Sequence, residues 1–385
     1  MRAGWSRVLG SVSALVVVGA VWAGSRPPAA APGPNELLYL QTRRGITALD
    51  TRNGSTAFTA PHATPAGNWS RLFVAGAVGT DATLVRRLDP ATGRTLESVQ
   101  LLGHYRVQAV TGTGDQAVLV PVEKGEDGEP GGSGTARTPY RPEGRATTEL
   151  VVVRFDGSSP RHLQLTGNVE PEAFSSDGST IFALDYRPAL SPDRYRVRRI
   201  DVATGAVSDV PTNDKEVRGD MQGVARTQAL APDGRRLYTL YTVPGDEPRA
   251  FVHVLGLDSQ TANCVDLPVP FGRDTTSMAL APSPDGAHLY VADAAHGVLA
   301  DVDTRALAVT RTTKLHMTGA THDPVSMTAT NGAVFVARGS AVTGVSSARF
   351  RSGRPWHAQG TVAGIQTAAT GTDLYVALRN RVVEI

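Results

Sequence analysis

The sequence has one cysteine among 385 residues, Cys264, so it cannot form a disulfide within the chain. Lysine is almost as scarce, because three of the 38 basic side chains are lysines and the rest are scattered arginines. The formal net charge is +2, which gives no general attraction for polyanions. We therefore expect no nucleic-acid partner, and a structural role for the Cys264 thiol in an outer strand.

Motifs typical of common reactions and metal sites are also missing. The sequence has no Gly-x-Ser-x-Gly elbow, no His-Glu-x-x-His or Cys-x-x-Cys spacing, and no Asp-x-Asn-x-Asp-Gly calcium loop. On this basis we predict no catalytic residue, no metal site and no cofactor. An amphipathic helical pattern is likewise missing between residues 36 and 385.

The first 25 residues differ from the rest of the chain. Arg2 and Arg7 precede the uncharged stretch Val8–Ser25, which contains an apolar block at Ala14–Val18. This pattern predicts either a cleaved signal peptide or a single-pass signal anchor whose N-terminus stays inside. The Pro- and Ala-rich residues 26–35 predict an extended linker. Either form places residues 36–385 outside the cytoplasm, as a secreted or membrane-attached protein.

Two short phrases recur along the chain. The first is a tight Asp-Gly turn that feeds an apolar, β-prone run, as in Ser283–Val291, Ala231–Thr239 and Ser175–Ala183. The second is an apolar residue followed by Asp and a short turn ending in Gly, as in Leu88–Gly93 and Ile200–Gly205. Together they predict a unit of four antiparallel strands, which we call the inner, second, third and outer strands. Repetition at intervals of about 35–60 residues is typical of the blades of a β-propeller.

The pairing of SPDGxxLYVA with IDxxTG resembles the YVTN and TolB-like (WD40-like) families of propeller repeats, over residues 36–385. The resemblance implies an all-β fold: a single propeller of four-stranded antiparallel blades in an exported bacterial protein. Because such propellers include binding proteins and varied enzymes, it implies no particular function. Eight second strands can be counted, beginning near Leu38, Leu72, Val118, Ile181, Leu237, Leu289, Val334 and Leu374. Seven blades are nevertheless preferred, since these families usually have seven, with the two chain ends sharing a blade; eight is the alternative.

Two insertions interrupt the repeats. Glu123–Glu149 is rich in Gly, Pro and charge, which predicts a disordered surface loop, or alternatively a lid or a partner-binding arm. Tyr186–Tyr195 joins the equivalent strands of the next unit. We expect both insertions to emerge from the same face of the propeller, opposite the entries of the inner strands.

Charged residues concentrate where the inner strands begin. These candidate ligand-binding residues are His104, Arg106, Glu170, Glu172, Arg226, Arg273, Asp274, His322 and Asp323. Because inner strands line the central channel of a propeller, we expect these residues at one mouth of the channel. The interpretation is a mixed-charge funnel for a small polar ligand or a partner's loop, with Arg226 and Arg273 holding an anionic group. The alternative is that they are ordinary solvated loop residues.

Two functions from different classes fit this pattern. The first is a non-catalytic binding module outside the cytoplasm, a monomer that contacts the membrane only through its N-terminal segment. The second is a propeller enzyme of lyase or lactonase type, with Glu170 or Glu172 as the base in the central funnel. The missing catalytic motifs favour the first.

Overall fold

The computed structural model describes residues 37–42, 45–51, 54–122, 143–212, 219–273, 277–317, 323, 325–368, 373–378 and 381–385. This part contains 31 strands and no helix, so the all-β prediction is confirmed. Among these residues no helix could therefore span a bilayer. The predicted signal segment, the linker and residues 123–142 of the first insertion lie outside the described residues.

The strands form eight antiparallel sheets, which are the blades of a propeller. Blade 1 contains β1 (Leu37–Thr42), β2 (Gly45–Asp50) and β3 (Thr56–Pro61); blade 2 contains β4 (Thr64–Pro65), β5 (Leu72–Val78), β6 (Ala82–Leu88) and β7 (Thr95–Leu102); blade 3 contains β8 (Tyr105–Val110), β9 (Gln116–Pro121), β10 (Thr147–Arg154) and β11 (Arg161–Thr166); blade 4 contains β12 (Asn168–Phe174), β13 (Thr180–Arg187), β14 (Arg194–Asp201) and β15 (Val207–Asp209). Blade 5 contains β16 (Val224–Leu230), β17 (Arg236–Val243), β18 (Arg249–Gly256) and β19 (Thr261–Asp266); blade 6 contains β20 (Met278–Pro282), β21 (His288–Asp293), β22 (Val298–Asp303) and β23 (Ala308–Lys314); blade 7 contains β24 (Val325–Ala329), β25 (Ala333–Arg338), β26 (Ala341–Ser346), β27 (Arg351–Ser352) and β28 (Trp356–His357); blade 8 contains β29 (Val362–Thr367), β30 (Leu374–Leu378) and β31 (Arg381–Glu384).

The preferred count of seven blades is wrong, and the reason lies in the two end blades. Strands β1–β3 are a second, a third and an outer strand, whereas β29–β31 are an inner, a second and a third strand. Each set contains its own second and third strands, so the two sets cannot complete one four-stranded sheet. Blades 1 and 8 instead pack face to face, through buried Leu38 against Ala368 and Tyr375.

The Asp-Gly turns are closed by local hydrogen bonds. In blade 6 the hydroxyl of Ser283 donates to Asp285 Oδ1 at 2.5 Å, and the same oxygen accepts the backbone N–H of Ala287 at 3.0 Å. These bonds favour the ionised form, so they hold the pKa of Asp285 below its usual value. Gly286 follows with φ 70°, a conformation that glycine adopts without a steric penalty.

The hydrophobic core lies between the blades. Leu240 and Val252 of blade 5, for example, pack against Leu289 and Val291 of blade 6, and none of the four is exposed. Alternate residues of each strand face opposite neighbours, so both faces of a blade contribute to the core. Cys264, in the outer strand β19, is half-buried.

A charged contact joins blades 6 and 7. Asp301 is fully buried, and its Oδ2 accepts Nε of Arg311 at 2.8 Å. Its Oδ1 lies 2.8 Å from Nδ1 of His288. The guanidinium of Arg311 lies 4.5 Å from the centre of the Phe350 ring. The buried carboxylate therefore has a cation and two hydrogen bonds, which a stable buried charge needs.

Antiparallel pairing determines which connections share a face. Tyr105, at the entry of inner strand β8, pairs with Pro121 at the end of β9, so inner-strand entries lie on the same face as the connections between second and third strands. We call this the loop face, and the opposite face, with the Asp-Gly turns, the turn face. The two insertions do share a face, since the N–H of Arg145 donates to the carbonyl of Ala189 at 3.0 Å. Their expected placement opposite the inner-strand entries is wrong. Strand β10 also begins inside the first predicted insertion, at Thr147.

Candidate functional site at the inner strands

Four inner strands carry β-bulges, three of them in the neighbouring blades 3, 4 and 5 and one in β29 of blade 8. In blades 3–5 the register shifts fall between Val107 and Ala109 in β8, Pro171 and Ala173 in β12, and Ala225 and Thr227 in β16. The extra residues at these shifts are Gln108, Glu172 and Arg226. A bulge redirects the side chain of its extra residue, and bulges are over-represented near functional sites.

On the blade 3 side, a glutamine connects an arginine to a glutamate. Gln108 Nε2 donates to Glu170 Oε1 at 3.3 Å and to the carbonyl of Pro171 at 3.2 Å. Nη1 of Arg106 in turn donates to Gln108 Oε1. All of these side chains are at least partly buried.

On the blade 5 side, a second glutamine reaches the other glutamate. Gln228 Nε2 lies 3.3 Å from Glu172 Oε1 and 3.1 Å from Thr239 Oγ1. The Thr239 hydroxyl also donates to Glu172 Oε1, at 3.4 Å. Side chains of three blades therefore meet in one polar group. We define the inner-strand cluster as Arg106, Gln108, Glu170, Glu172, Gln228 and Thr239.

Glu172 has the most unusual electrostatics in the cluster. Burial of the carboxyl raises its pKa from 4.5 to about 7, and the negative charge of Glu170 adds to this effect. Hydrogen bonds from Thr239 and Gln228 and the nearby hydroxyl of Tyr241 lower the pKa, but by less than burial and Glu170 together raise it. None of the groups that dominate this pKa is a cation. Glu172 Oε2 is inaccessible to solvent and accepts no conventional hydrogen bond from the described residues.

Buried tyrosines form the wall behind Glu172. The Tyr195 and Tyr241 rings stack with centroids 5.6 Å apart, and Tyr241 stacks on Phe251 at 5.3 Å. Burial raises the pKa of both tyrosines well above 10, with a contribution from the charge of Glu172. Both phenols therefore stay neutral, and neither neutralises the carboxylate.

The remaining predicted site residues are His104, Arg226, Arg273, Asp274, His322 and Asp323. Arg226 is half-buried on β16, and its Nε donates to Thr242 Oγ1 at 2.7 Å. His104 is exposed, with Nε2 3.0 Å from the carbonyl of Thr80 in blade 2.

Arg273 is exposed in the connection before β20. The predicted anion clamp by Arg226 and Arg273 stays a prediction. Asp323 is half-buried and lies between two gaps in the described chain, while Asp274 and His322 lie outside the described residues.

Reasoning from charge alone missed the neutral members of the cluster. Gln108, Glu172 and Gln228 each stand three residues before the first residue of an Asp-Gly-type turn. In blades 6, 7 and 8 the corresponding residues of the inner strands are Leu280, Met327 and Ile365. Aligning the repeats on their turns would therefore have found a polar sector limited to blades 3–5.

Comparison with known proteins finds only solved structures of low similarity. No family model and no curated protein matches the chain. Similar solved structures include Kuenenia stuttgartiensis hydrazine synthase, at 13% identity over 95% of this chain and 98% of that one, with a TM-score of 0.47. BamB from Moraxella catarrhalis is 11% identical over 96% of this chain and 99% of that one, with a TM-score of 0.46. TolB from Acinetobacter baumannii is 12% identical over 71% of this chain and 59% of that one, with a TM-score of 0.38. Similarity this low carries no information about what this chain does.

Proposed function

We propose that the chain is a non-catalytic binding module, displayed outside the cytoplasm, whose site is the inner-strand cluster. The ligand is a small polar molecule or a polar side chain of a partner. It approaches from the loop face, on which the inner strands begin. Arg106 and the glutamines offer hydrogen-bond donors, and Glu170 and Glu172 offer acceptors, so the site suits a ligand with both kinds of group.

The observation that carries this proposal is the carboxyl group of Glu172. A carboxyl that is buried beside a second carboxyl destabilises the fold when it ionises, and an apolar residue serves at the same position in blades 6–8. A side chain kept at a cost in stability, near a channel and with a strongly shifted pKa, is a candidate for function.

A ligand screen with a matched pair of variants tests this proposal. Wild-type protein is screened against a library of small polar compounds by thermal shift, and each hit is measured by calorimetry. Glu172→Gln is expected to weaken a genuine ligand at least tenfold, as loss of a charged hydrogen-bond partner does. Glu247→Gln, an exposed residue of the β17–β18 connection, is expected to bind as the wild type does. Equal affinity in all three proteins would place the site elsewhere.

The location outside the cytoplasm is supported by the N-terminal segment, and it has its own test. Expression of the full chain in a bacterial host, followed by intact mass measurement, separates the two forms. A mass beginning near Gly24 means signal cleavage, and full-length protein in the membrane fraction means an anchor. Full-length protein that is soluble in the cytoplasm would contradict both.

A second candidate function, an enzyme of lyase or lactonase type, is favoured by the same pKa. A general acid–base group works best when its pKa lies near the working pH, as that of Glu172 does at about 7. Binding and turnover distinguish the two candidates. If a ligand is consumed by wild-type protein, and Glu172→Gln abolishes turnover while affinity stays within about twofold, the enzyme function is correct.

A further inference from the structure

Among the described residues, the side chains that contact Glu172 include no cation that could pair with its negative charge. Its Oε1 accepts hydrogen bonds from Gln228 and Thr239, which are both neutral. The charged or titratable groups around it are Glu170 on its own strand, Tyr241 on β17 and Tyr195 on β14. Glu170 carries the same sign of charge, and the two tyrosines stay neutral.

The arginines and the other titratable groups near Glu172 are hydrogen-bonded to, or packed against, other residues. Arg106 reaches the cluster through Gln108, and Arg226 donates to Thr242. On β18, His253 contacts the ring of Tyr241, with centroids 6.3 Å apart. The half-buried Cys264 on β19 contributes to the raised pKa of Tyr195. None of these groups ranks among the main causes of the Glu172 pKa.

A proton therefore takes the place of a cation at Glu172. A buried carboxyl with no positive partner binds a proton more tightly than it does in water. The same carboxylate, offered a cation of suitable size, would release that proton and form a charge-assisted pair. Oε1 of Glu172 accepts two hydrogen bonds and Oε2 accepts none from the described residues, so the carboxylate suits a cationic hydrogen-bond donor.

We propose that the ligand carries a protonated primary amine, which pairs with the carboxylate of Glu172 in exchange for the proton. This inference rests on the proposed function and deepens it by naming the ligand's charge. A metal ion fits less well, because the described residues contain no group of three His, Cys, Asp or Glu side chains able to hold one. The exposed side chain of Gln228 donates to this carboxyl, so an amine that replaces it exchanges a neutral hydrogen-bond donor for a charged one.

The exchange predicts how affinity depends on pH. Below about pH 7 the amine competes with the proton, and above it the carboxylate is already free. Between about pH 6 and about pH 8 the affinity for the amine should rise about tenfold, with close to one proton released per amine bound at the lower pH. A neutral or anionic ligand would show no such rise.

Three probes of equal chain length test the inference: n-butylamine, 1-butanol and butyrate. Binding is measured by calorimetry at both pH values, in buffers of different ionisation enthalpy, which reports the protons released. The amine is expected to bind with the tenfold pH dependence, and the alcohol and the acid more weakly at both pH values. Absence of amine binding, or amine binding without proton release, would overturn the inference.

Two variants separate a counterion role of Glu172 from a structural one. Glu172→Gln should abolish amine binding and its pH dependence. Glu170→Gln removes the neighbouring negative charge and should move the pH midpoint of amine affinity below that of the wild type. If library ligands depend on Glu172 but are neutral or anionic, the proposed function stands and this inference fails. If no ligand depends on Glu172, both fail.

Discussion

Replacing Glu172 by glutamine should stabilise the protein at alkaline pH. The substitution keeps the size of the side chain and fixes it in the neutral form that burial favours. In the wild type the folded state holds the carboxyl proton up to about pH 7, whereas an unfolded glutamate releases it near 4.5. The free energy of unfolding therefore falls as pH rises from 4.5 to about 7, and the loss is complete above that range.

The magnitude follows from the two pKa values. The difference between a pKa of 4.5 and a pKa of about 7 corresponds to up to about 3 kcal/mol in the free energy of unfolding. Because Glu172 is half-buried, its contact with solvent reduces this amount. Glu172→Gln should thus gain most of this amount over the wild type near pH 8, and nearly none near pH 4. The sign is unusual, since most core substitutions destabilise.

Urea unfolding followed by tryptophan fluorescence, repeated across this pH range, provides the measurement. The exposed Glu247→Gln variant controls for the loss of one negative charge, and its curve should follow the wild type. The reasoning is refuted if Glu172→Gln is no more stable than the wild type near pH 8. It is equally refuted if the gain does not shrink towards acid pH, because a gain at all pH values would come from packing.

Three further substitutions test other parts of the structure. Tyr241→Phe removes a hydroxyl that lowers the pKa of Glu172, so the carboxyl should titrate above about 7, as NMR of the labelled carboxyl would detect. Arg311→Met leaves the fully buried Asp301 without its cation and should cost about 3 kcal/mol in urea unfolding; a cost below about 1 kcal/mol would show that the pair is dispensable. Asp285→Ala should cost about 1 kcal/mol near neutral pH. Because the pKa of Asp285 is lowered in the fold, this cost should shrink as pH falls below 3.8; a cost that persists in acid would contradict the turn's role.

Most of the fold could be predicted because each repeat determines its own local structure. The Asp-Gly turn and the apolar run after it need no distant partner to form a hairpin, and all eight predicted second strands lie in separate sheets. The predicted blade count was wrong because it followed the seven blades usual in the resembled families, although eight second strands can be counted in the sequence. The expected face of the insertions was wrong because the pairing of Tyr105 with Pro121 was not considered.

The site was predictable only in part. Arg106, Glu170 and Glu172 were identified because charged residues concentrate near the predicted starts of the inner strands, although all three lie within strands β8 and β12. Gln108 and Gln228 were missed because an amide side chain gains its role from the neighbour it faces, and that depends on how blades 3, 4 and 5 are arranged around the axis. Burial, which decides the protonation of Glu172, is likewise a property of the assembled blades.

The packing of blade 1 against blade 8 also bears on how the chain folds. The contact of Leu38 with Ala368 and Tyr375 joins segments from opposite ends of the described chain, so it has nearly the greatest sequence separation that this protein offers. Contacts of such long range form late, because the entropy of closing a long loop is lost before they provide any stabilisation. The cluster is also small, with three buried side chains. This junction should therefore be the last part of the ring to form during synthesis, and amide hydrogens of β1 and β30 should exchange sooner than those of blades 5 and 6.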